Sequence, residues 1–330
     1  MHDRSIEEEK ALNLTILIPI KTSSLQNCEE FSEYIDNLAY QLKDENCEFV
    51  IANESPYRIF EFMNSVFEKN NNIIHFAPED SKRTGDNDKL NGIYCGLEKA
   101  SYDNVLLIDD HFRVTKDTLR KCLRYFEKYD CFKMMPLFNK FPFSVLIDLN
   151  GMFVVNMLDY RKQYCGHLAF KKSQYKKVGF PNRNGLFDEL TMEEHLRDHG
   201  YSVGFIRDVA LEAIQDIKFS KFLEQRVRYA YENIAFPIRF TFFAMILPIL
   251  LILFILSPAI FSATFIYINL AILLVSFIGQ ILYARNFVPP YTFLLSPIWF
   301  WFYPFTTWIA VYKYFTGGVM FGGNKIKRAK

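Results

Sequence analysis

The sequence predicts an α/β domain with a mostly parallel central sheet, followed by C-terminal transmembrane helices. Three observations predict it. Between Leu14 and Ile108, short apolar and β-branched runs alternate with segments of helical period. Across residues 240–284, 45 consecutive positions hold no Asp, Glu, Lys, Arg or His. All 37 Asp and Glu precede Phe240 while six of the 38 Lys and Arg follow it, so an acidic first part is joined to a basic, oily second part.

The elements follow in order. Residues 14–19 (Leu-Thr-Ile-Leu-Ile-Pro) read as a strand covered on both faces, since an unbroken apolar run suits a buried parallel strand. Residues 29–43 place Phe31, Ile35, Leu38 and Leu42 on one helical face. Residues 48–52 form a second strand, 56–69 a second helix, 73–76 a third strand, 89–100 a third helix and 105–108 a fourth strand. Alternation at this spacing means βαβ units and a parallel sheet. Ligands of such sheets bind beyond the carboxyl ends of the strands, which directs attention to residues 19–22, 53–55 and 109–111.

The uncharged run is long enough, at ~1.5 Å per residue, to cross a ~30 Å hydrocarbon layer twice. Ser257-Pro258 is its natural break. A second uncharged run, 286–312, carries Trp299, Trp301 and Trp308 and is interrupted by Pro289, Pro290, Pro297 and Pro304, so it is either a third span or an interfacial segment. The basic tail Lys325, Lys327, Arg328 and Lys330 favours a cytoplasmic C-terminus, which with a cytoplasmic N-terminal domain requires an even number of crossings. The expected divisions are an N-terminal tail (1–12), an α/β domain (13–218), an amphipathic interfacial helix (219–236), a membrane region (237–316) and a basic tail (317–330).

Composition narrows the function classes. With 50% hydrophobic residues, 34 Phe and 19 Tyr, the chain is too apolar for a disordered binder, and its net charge of +1 gives no reason to expect nucleic acid as a partner. Cys28, Cys47, Cys95, Cys122, Cys131 and Cys165 contain no C-x-x-C pair and read as reduced, buried thiols facing the cytosol. Residues 1–10 have charges of both signs and no apolar core, so no secretory signal is expected.

Three stretches carry chemistry. An apolar strand ending in Asp109-Asp110-His111 projects ligands suited to Mg²⁺ or Mn²⁺, or else is a polar turn capping the strand. An acidic cluster opens a helix at Asp188-Glu189 and offers a general base toward an acceptor hydroxyl, or simply complements the helix dipole. Before the first apolar run, Phe219, Phe222, Leu223, Val227 and Ala230 recur at helical spacing, with Gln225, Arg228 and Tyr229 on another face. That pattern alone is equally that of an ordinary juxtamembrane helix.

Taken in order, the acidic strand end, the segment Gly166 to Lys172, the acidic pair before Asp198-His199-Gly200-Tyr201, and Gln225-x-x-Arg228-Tyr229 before apolar helices resemble the membrane-bound inverting glycosyltransferases of family 2, nearest to the ceramide glucosyltransferase type. The resemblance covers about residues 12–235. It implies a GT-A-like nucleotide-sugar-binding domain and a divalent cation, Mg or Mn. By it, Glu54 contacts the nucleotide base, and Lys89 and Asn91 flank the donor phosphates. Asp109 leads the metal motif, with Asp110 and His111 beside it. Glu189, or Asp188, is the catalytic base, and Gln225, Arg228 and Tyr229 lie near the diphosphate and acceptor.

The sequence departs from the family at four places: Asn53-Glu54 replaces a paired Asp, His111 stands where a second metal Asp is expected, the acidic pair is inverted, and Tyr229 replaces Trp. The function implied is transfer of a sugar, such as that of a UDP-sugar, to a lipid or lipid-linked acceptor by a multi-pass membrane protein with its catalytic domain facing the cytoplasm. An oligomer is compatible with this reading. The altered motifs also admit a membrane-anchored scaffold without turnover, and an oligomer would admit a polysaccharide synthase subunit.

Overall fold

A computed structural model describes residues 11–162, 166–181, 183–185, 187–214, 218–321 and 324–326. The N-terminal tail to Lys10, Cys165 and the tail residues Lys327, Arg328 and Lys330 lie outside the described residues.

The chain opens with β1 (Leu14–Ile20), α1 (Leu25–Gln41), β2 (Cys47–Asn53), α2 (Tyr57–Phe67), β3 (Ile73–Phe76), α3 (Asp88–Lys99) and β4 (Asn104–Ile108). These are the alternating elements expected from the sequence, with one revision of note. The first helix starts four residues earlier because the Ser24 side chain accepts the amide of Asn27, satisfying a first-turn donor. Then come β5 (Phe112–Arg113), α4 (Lys116–Phe126), β6 (Cys131–Phe138), α5 (Phe143–Leu158), β7 (His167–Lys171), α6 (Lys172–Val178), α7 (Asp188–Asp198), β8 (Val203–Ala213) and α8 (Phe219–Glu232). The chain continues with α9 (Pro237–Leu256), α10 (Pro258–Tyr283), α11 (Ser296–Phe315), β9 (Val319–Phe321) and β10 (Asn324–Ile326).

Among the described residues, eight strands form one curled sheet in the order β3-β2-β1-β4-β7-β6-β8-β5. Four of its seven pairings are parallel, and the antiparallel ones are β4 with β7, β7 with β6, and β8 with β5. β1 and β2 are buried along their whole length, as a sheet covered on both faces requires. One face packs Phe31, Ile35 and Leu38 of α1 with Met63 and Phe67 of α2. The other packs Leu90, Ile93 and Leu97 of α3 with Met192 and Leu196 of α7. The free thiols of Cys28, Cys47, Cys95, Cys122 and Cys131 are buried in these layers, and burial pushes each one up.

A third core joins this domain to the C-terminal helices. Phe153 of α5 and Phe222 of α8 are fully buried against Trp299 and Phe300 of α11, and each such aromatic contributes about 1.5–3 kcal/mol by burial. Polar pairs fix the register within it. Ser276 donates to the Asn150 amide oxygen at 2.6 Å, and Asn150 donates to the Thr292 carbonyl at 3.0 Å. Gln280 accepts the Phe293 amide and donates to the Pro289 carbonyl, both at 2.9 Å.

Among the described residues, three helical stretches are long and apolar enough to cross a membrane: Pro237–Leu256, Pro258–Tyr283 and Thr292–Phe315. Ser257 separates the first two as expected, with its hydroxyl capping Ile260 and Pro258 in the first turn of α10. The three differ in cover. In the most apolar 18-residue stretch, 6% of the first is buried, 17% of the second and 39% of the third. α8 is also more covered than a surface helix would be, since Phe222, Arg226, Arg228, Ala230, Tyr231 and Glu232 are all buried while Phe219 and Leu223 stay exposed.

Candidate active site

Strand ends supply the first groups. Beyond β2, Asn53 turns inward, 1% exposed, and its amide oxygen accepts the Ser55 backbone N–H at 2.9 Å. Its amide nitrogen lies 3.0 Å from His75 Nε2. Burial pushes that imidazole down to about 4, so the ring is neutral: Nε2 accepts from Asn53 and Nδ1 donates to Asn64 at 3.2 Å. The first member of the pair is thus committed to the fold and Glu54 alone faces the cavity, where burial raises its carboxyl against the pull of Lys21 and Arg83.

Beyond β4, the Asp109 amide donates to the Gly166 carbonyl at 2.9 Å. Gly166 has φ +70°, and a Cβ there would sit 2.9 Å from Asp109 Oδ2 and 3.0 Å from Phe112 Cε2. Both conformation and space require glycine. We expect Gly166→Ala to displace the Asp109 carboxylate and lower turnover at least about tenfold while the sheet stays folded, checked by steady-state rates beside a thermal melt.

The N-termini of α3 and α7 are tied together. The Asn87 amide donates to the Arg183 carbonyl at 3.0 Å, its side chain donates to the Gly185 carbonyl at 2.6 Å, and the Asp86 amide donates to Asn184 at 2.9 Å. This lashing brings Lys89 of α3 to the first turn of α7. Lys89 Nζ lies 2.5 Å from Asp109 Oδ1, 2.9 Å from Asp188 Oδ2 and 3.8 Å from Glu189 Oε1. Burial alone would lower the ammonium, but the three carboxylates outweigh it and hold it well above its ordinary value. One ammonium does not balance three carboxylates. Burial, then the Asp188 charge, pushes Glu189 up to about 8, and burial raises Asp109 against Lys89.

Oxygens of Asp109, Asp188 and Glu189 come within 4.8 Å of one another, and such hard donors fit Mg²⁺ or Mn²⁺. This grouping differs from the contiguous Asp109, Asp110 and His111 set expected as metal ligands. Asp110 and His111 instead face each other at 3.5 Å at the rim of the same cavity. Burial would raise Asp110, yet His111 holds it below its ordinary value.

The cavity has a volume of about 1060 Å³. Its lining includes Glu54, Lys89, Asp109, Asp110, His111, Asp188, Glu189, Gln225, Arg228 and Tyr229, so the structure gathers nearly every candidate from the sequence. Asn91 does not line it. Its amide group donates to the carbonyls of Gly85 and Asn87 and accepts from Thr84 and Arg183, and it lines a smaller neighbouring pocket with Glu54 and Lys21.

Among the charged residues lining the main cavity that sequence reasoning passed over are Arg226 and Asp148. Arg226, 2% exposed, pairs with Asp148 of α5 at 2.6 Å and lies over the Tyr229 ring at 4.4 Å. The available signal was Asp148 itself, the one charge in the apolar run Phe143–Leu158. That helix forms the wall between the strand ends and the C-terminal helices, with Met152 and Val155 facing the same cavity as Phe243, Ile272, Trp299 and Tyr303.

Neither a protein-family model nor a curated relative matches the chain. Solved structures do match it. A mannosyltransferase from Pyrobaculum calidifontis, in complex with GDP-Man and Mn²⁺, is 16% identical with a TM-score of 0.57, covering 91% of this chain and 86% of its own. Glucosyl-3-phosphoglycerate synthase from Mycobacterium tuberculosis, with Mn²⁺ and UDP-glucose, is 13% identical with a TM-score of 0.47, covering 66% of this chain and 76% of its own. TarS of S. aureus with UDP-GlcNAc is 16% identical with a TM-score of 0.44, covering 66% and 65%. The chain thus has the mixed α/β fold of GT-A glycosyltransferases, followed by apolar helices able to span a membrane.

Proposed function

We propose that the chain is an inverting glycosyltransferase that moves a sugar from a nucleotide-diphosphate donor to a lipid or lipid-linked acceptor at a membrane surface. The observation that carries this reading is the continuity of one cavity. Its polar end holds Lys89 and the Asp109, Asp188 and Glu189 carboxylates at the strand ends, and its other end is walled by α5 and apolar side chains of α9, α10 and α11. A headgroup on a hydrocarbon chain fits that gradient.

In this reading Glu54 meets the nucleotide base, and Lys89 and Arg228 are cationic partners for the diphosphate. Asp109 would hold a divalent cation, with Asp110 and His111 or with Asp188 completing its ligands. A Mg or Mn ion bound there would neutralise the diphosphate and improve it as a leaving group. Glu189 takes the acceptor hydroxyl proton as that oxygen attacks the anomeric carbon, and the diphosphate departs from the opposite face, so one displacement inverts the configuration. Two features favour Glu189 over Asp188 as the base. Lys89 engages Asp188 at 2.9 Å but stands 3.8 Å from Glu189, and a carboxyl raised to about 8 is matched to work near neutral pH. The GDP-Man and Mn²⁺ bound by the mannosyltransferase of like fold support the donor class and the cation. The family resemblance at the acidic strand end and at Gln225-x-x-Arg228-Tyr229 supports a glycolipid product of the ceramide glucosyltransferase type.

For topology we propose that α9 and α10 cross as a hairpin while α11 lies against the cytoplasmic domain. Phe302 packs on Phe222 of α8 at 5.2 Å and Tyr314 lies 6.4 Å from Tyr231, so α11 follows α8 over much of its length. Two crossings return the basic tail to the side of the catalytic domain.

The test uses the full chain in lipid nanodiscs, with nucleotide release followed across UDP- and GDP-sugars in Mn²⁺, Mg²⁺ or chelator and with lipid extracts assayed for transferred sugar. We expect release with one donor, abolished by chelator, and sugar in the organic phase. A chain that binds nucleotide yet releases none with any donor is a scaffold, and the transferase reading falls.

A further inference from the structure

The residue before the acidic pair occupies an unusual place. Phe187 is the N-cap of α7, a position that favours Ser, Thr, Asp or Asn, and it makes no side-chain hydrogen bond to the helix. Beside the hydrogen bonds that tie residues 183–185 to α3, the Phe187 ring gives this end of α7 a second hold. It stacks on Tyr229 of α8 with centroids 4.7 Å apart and planes 9° from parallel. The Arg226 guanidinium lies over Tyr229 at 4.4 Å and that of Arg228 over Phe187 at 5.4 Å, so each ring carries a cation as well as its partner.

The ring also touches a second layer. Ala230 and Tyr231 of α8, Ala310 of α11 and Val319 of β9 form a small buried core, and Phe187 and Ile234 pack against it. Ala310 is fully buried and does not line the cavity. A continuous run of packed groups therefore leads from the C-terminal apolar helix through α8 to the first turn of α7, where Asp188 and Glu189 sit next in the chain.

We infer that Phe187 is a positioning residue that sets the Asp188–Glu189 carboxylates, and that α11 belongs to the scaffold of the reaction as well as to the membrane-associated part. The inference rests on the transferase reading above. Its physical basis is that reactive groups held in packed, rigid contact lose rate steeply when displaced by about 1 Å. Phe187 lines the cavity beside Tyr229 and Arg228, and its positioning role is exerted through the backbone that it shares with the acidic pair.

The experiment compares native chain, Phe187→Ala, Phe187→Tyr and Ala310→Leu in nanodiscs by three readouts: kcat, donor Kd, and hydrogen exchange in the segment 187–196. Phe187→Ala, which also removes part of the cavity wall, should lower kcat about 10- to 100-fold and weaken donor binding by a smaller factor. Phe187→Tyr, which keeps the ring, should restore the native rate. Ala310→Leu, which wedges α11 away from α8, should lower kcat about tenfold and, like Phe187→Ala, speed exchange in that segment. Native kcat in Phe187→Ala overturns the inference, as does unchanged exchange in both Phe187→Ala and Ala310→Leu. A native chain that turns over no donor defeats the transferase reading instead, and the exchange comparison alone then decides the positioning.

Discussion

Glu189→Gln should leave donor affinity within about twofold of native while sugar transfer falls by about 10²–10⁴-fold. Glutamine keeps the shape of the side chain but carries no charge and cannot take a proton. Glu189 is 6% exposed and sits in the first turn of α7, so the substitution leaves the surrounding packing in place. Donor binding by calorimetry and single-turnover transfer measured on the same preparation separate the two quantities. Asp188→Asn is the comparison. Asp188 pairs with Lys89 at 2.9 Å, so its loss should disturb the cationic partner of the diphosphate and weaken donor binding together with rate. Collapse of transfer in Asp188→Asn at unchanged donor affinity, with Glu189→Gln active, would assign the base to Asp188.

Lys89→Met is expected to cost stability as well as activity. It leaves Asp109, Asp188 and Glu189 together without the ammonium now among them, and removing one partner from a buried charge pair costs about 3–5 kcal/mol. Mn²⁺ should recover much of that loss in the variant and much less in the native chain, because an ion among the three carboxylates replaces the missing positive charge. The pH dependence has a definite sign. Glu189, at about 8, lies above the ordinary carboxyl value of about 4.3, so the folded chain holds a proton that the unfolded chain releases. Its contribution to stability is therefore fully present below about pH 4.3 and declines as the pH rises through 8, and Lys89→Met should steepen that decline. Thermal melts across this range with and without Mn²⁺ provide the measurement. A variant as stable as the native chain at pH 8 without the ion would remove Lys89 from the role of counter-ion.

The parts of the site nearest the strand ends were legible because they obey a local rule. An apolar run that stops at a carboxylate, as Val105-Leu106-Leu107-Ile108 does at Asp109, announces a ligand-facing strand end, and the structure gives β4 that place. Asn53 shows where the rule blurs. Nothing local tells that its side chain is engaged by His75 and Ser55 while Glu54 turns to the cavity. Asn91 is a second case, since nothing local tells that its amide group holds the loop before α3.

The two-part character of this protein, its alternating strands and helices and its long apolar helices were determined by the sequence alone, because composition and periodicity are properties of neighbouring residues. What Gly166, Asn53 and His111 touch carries no such local signature. Only the tertiary structure decided that Lys89 stands among Asp109, Asp188 and Glu189, that Asp148 meets Arg226, and that Phe187 lies on Tyr229. Those contacts join segments remote in sequence, and their distances follow from how α3, α5, α7 and α8 pack on the sheet and on one another, which no short-range pattern encodes.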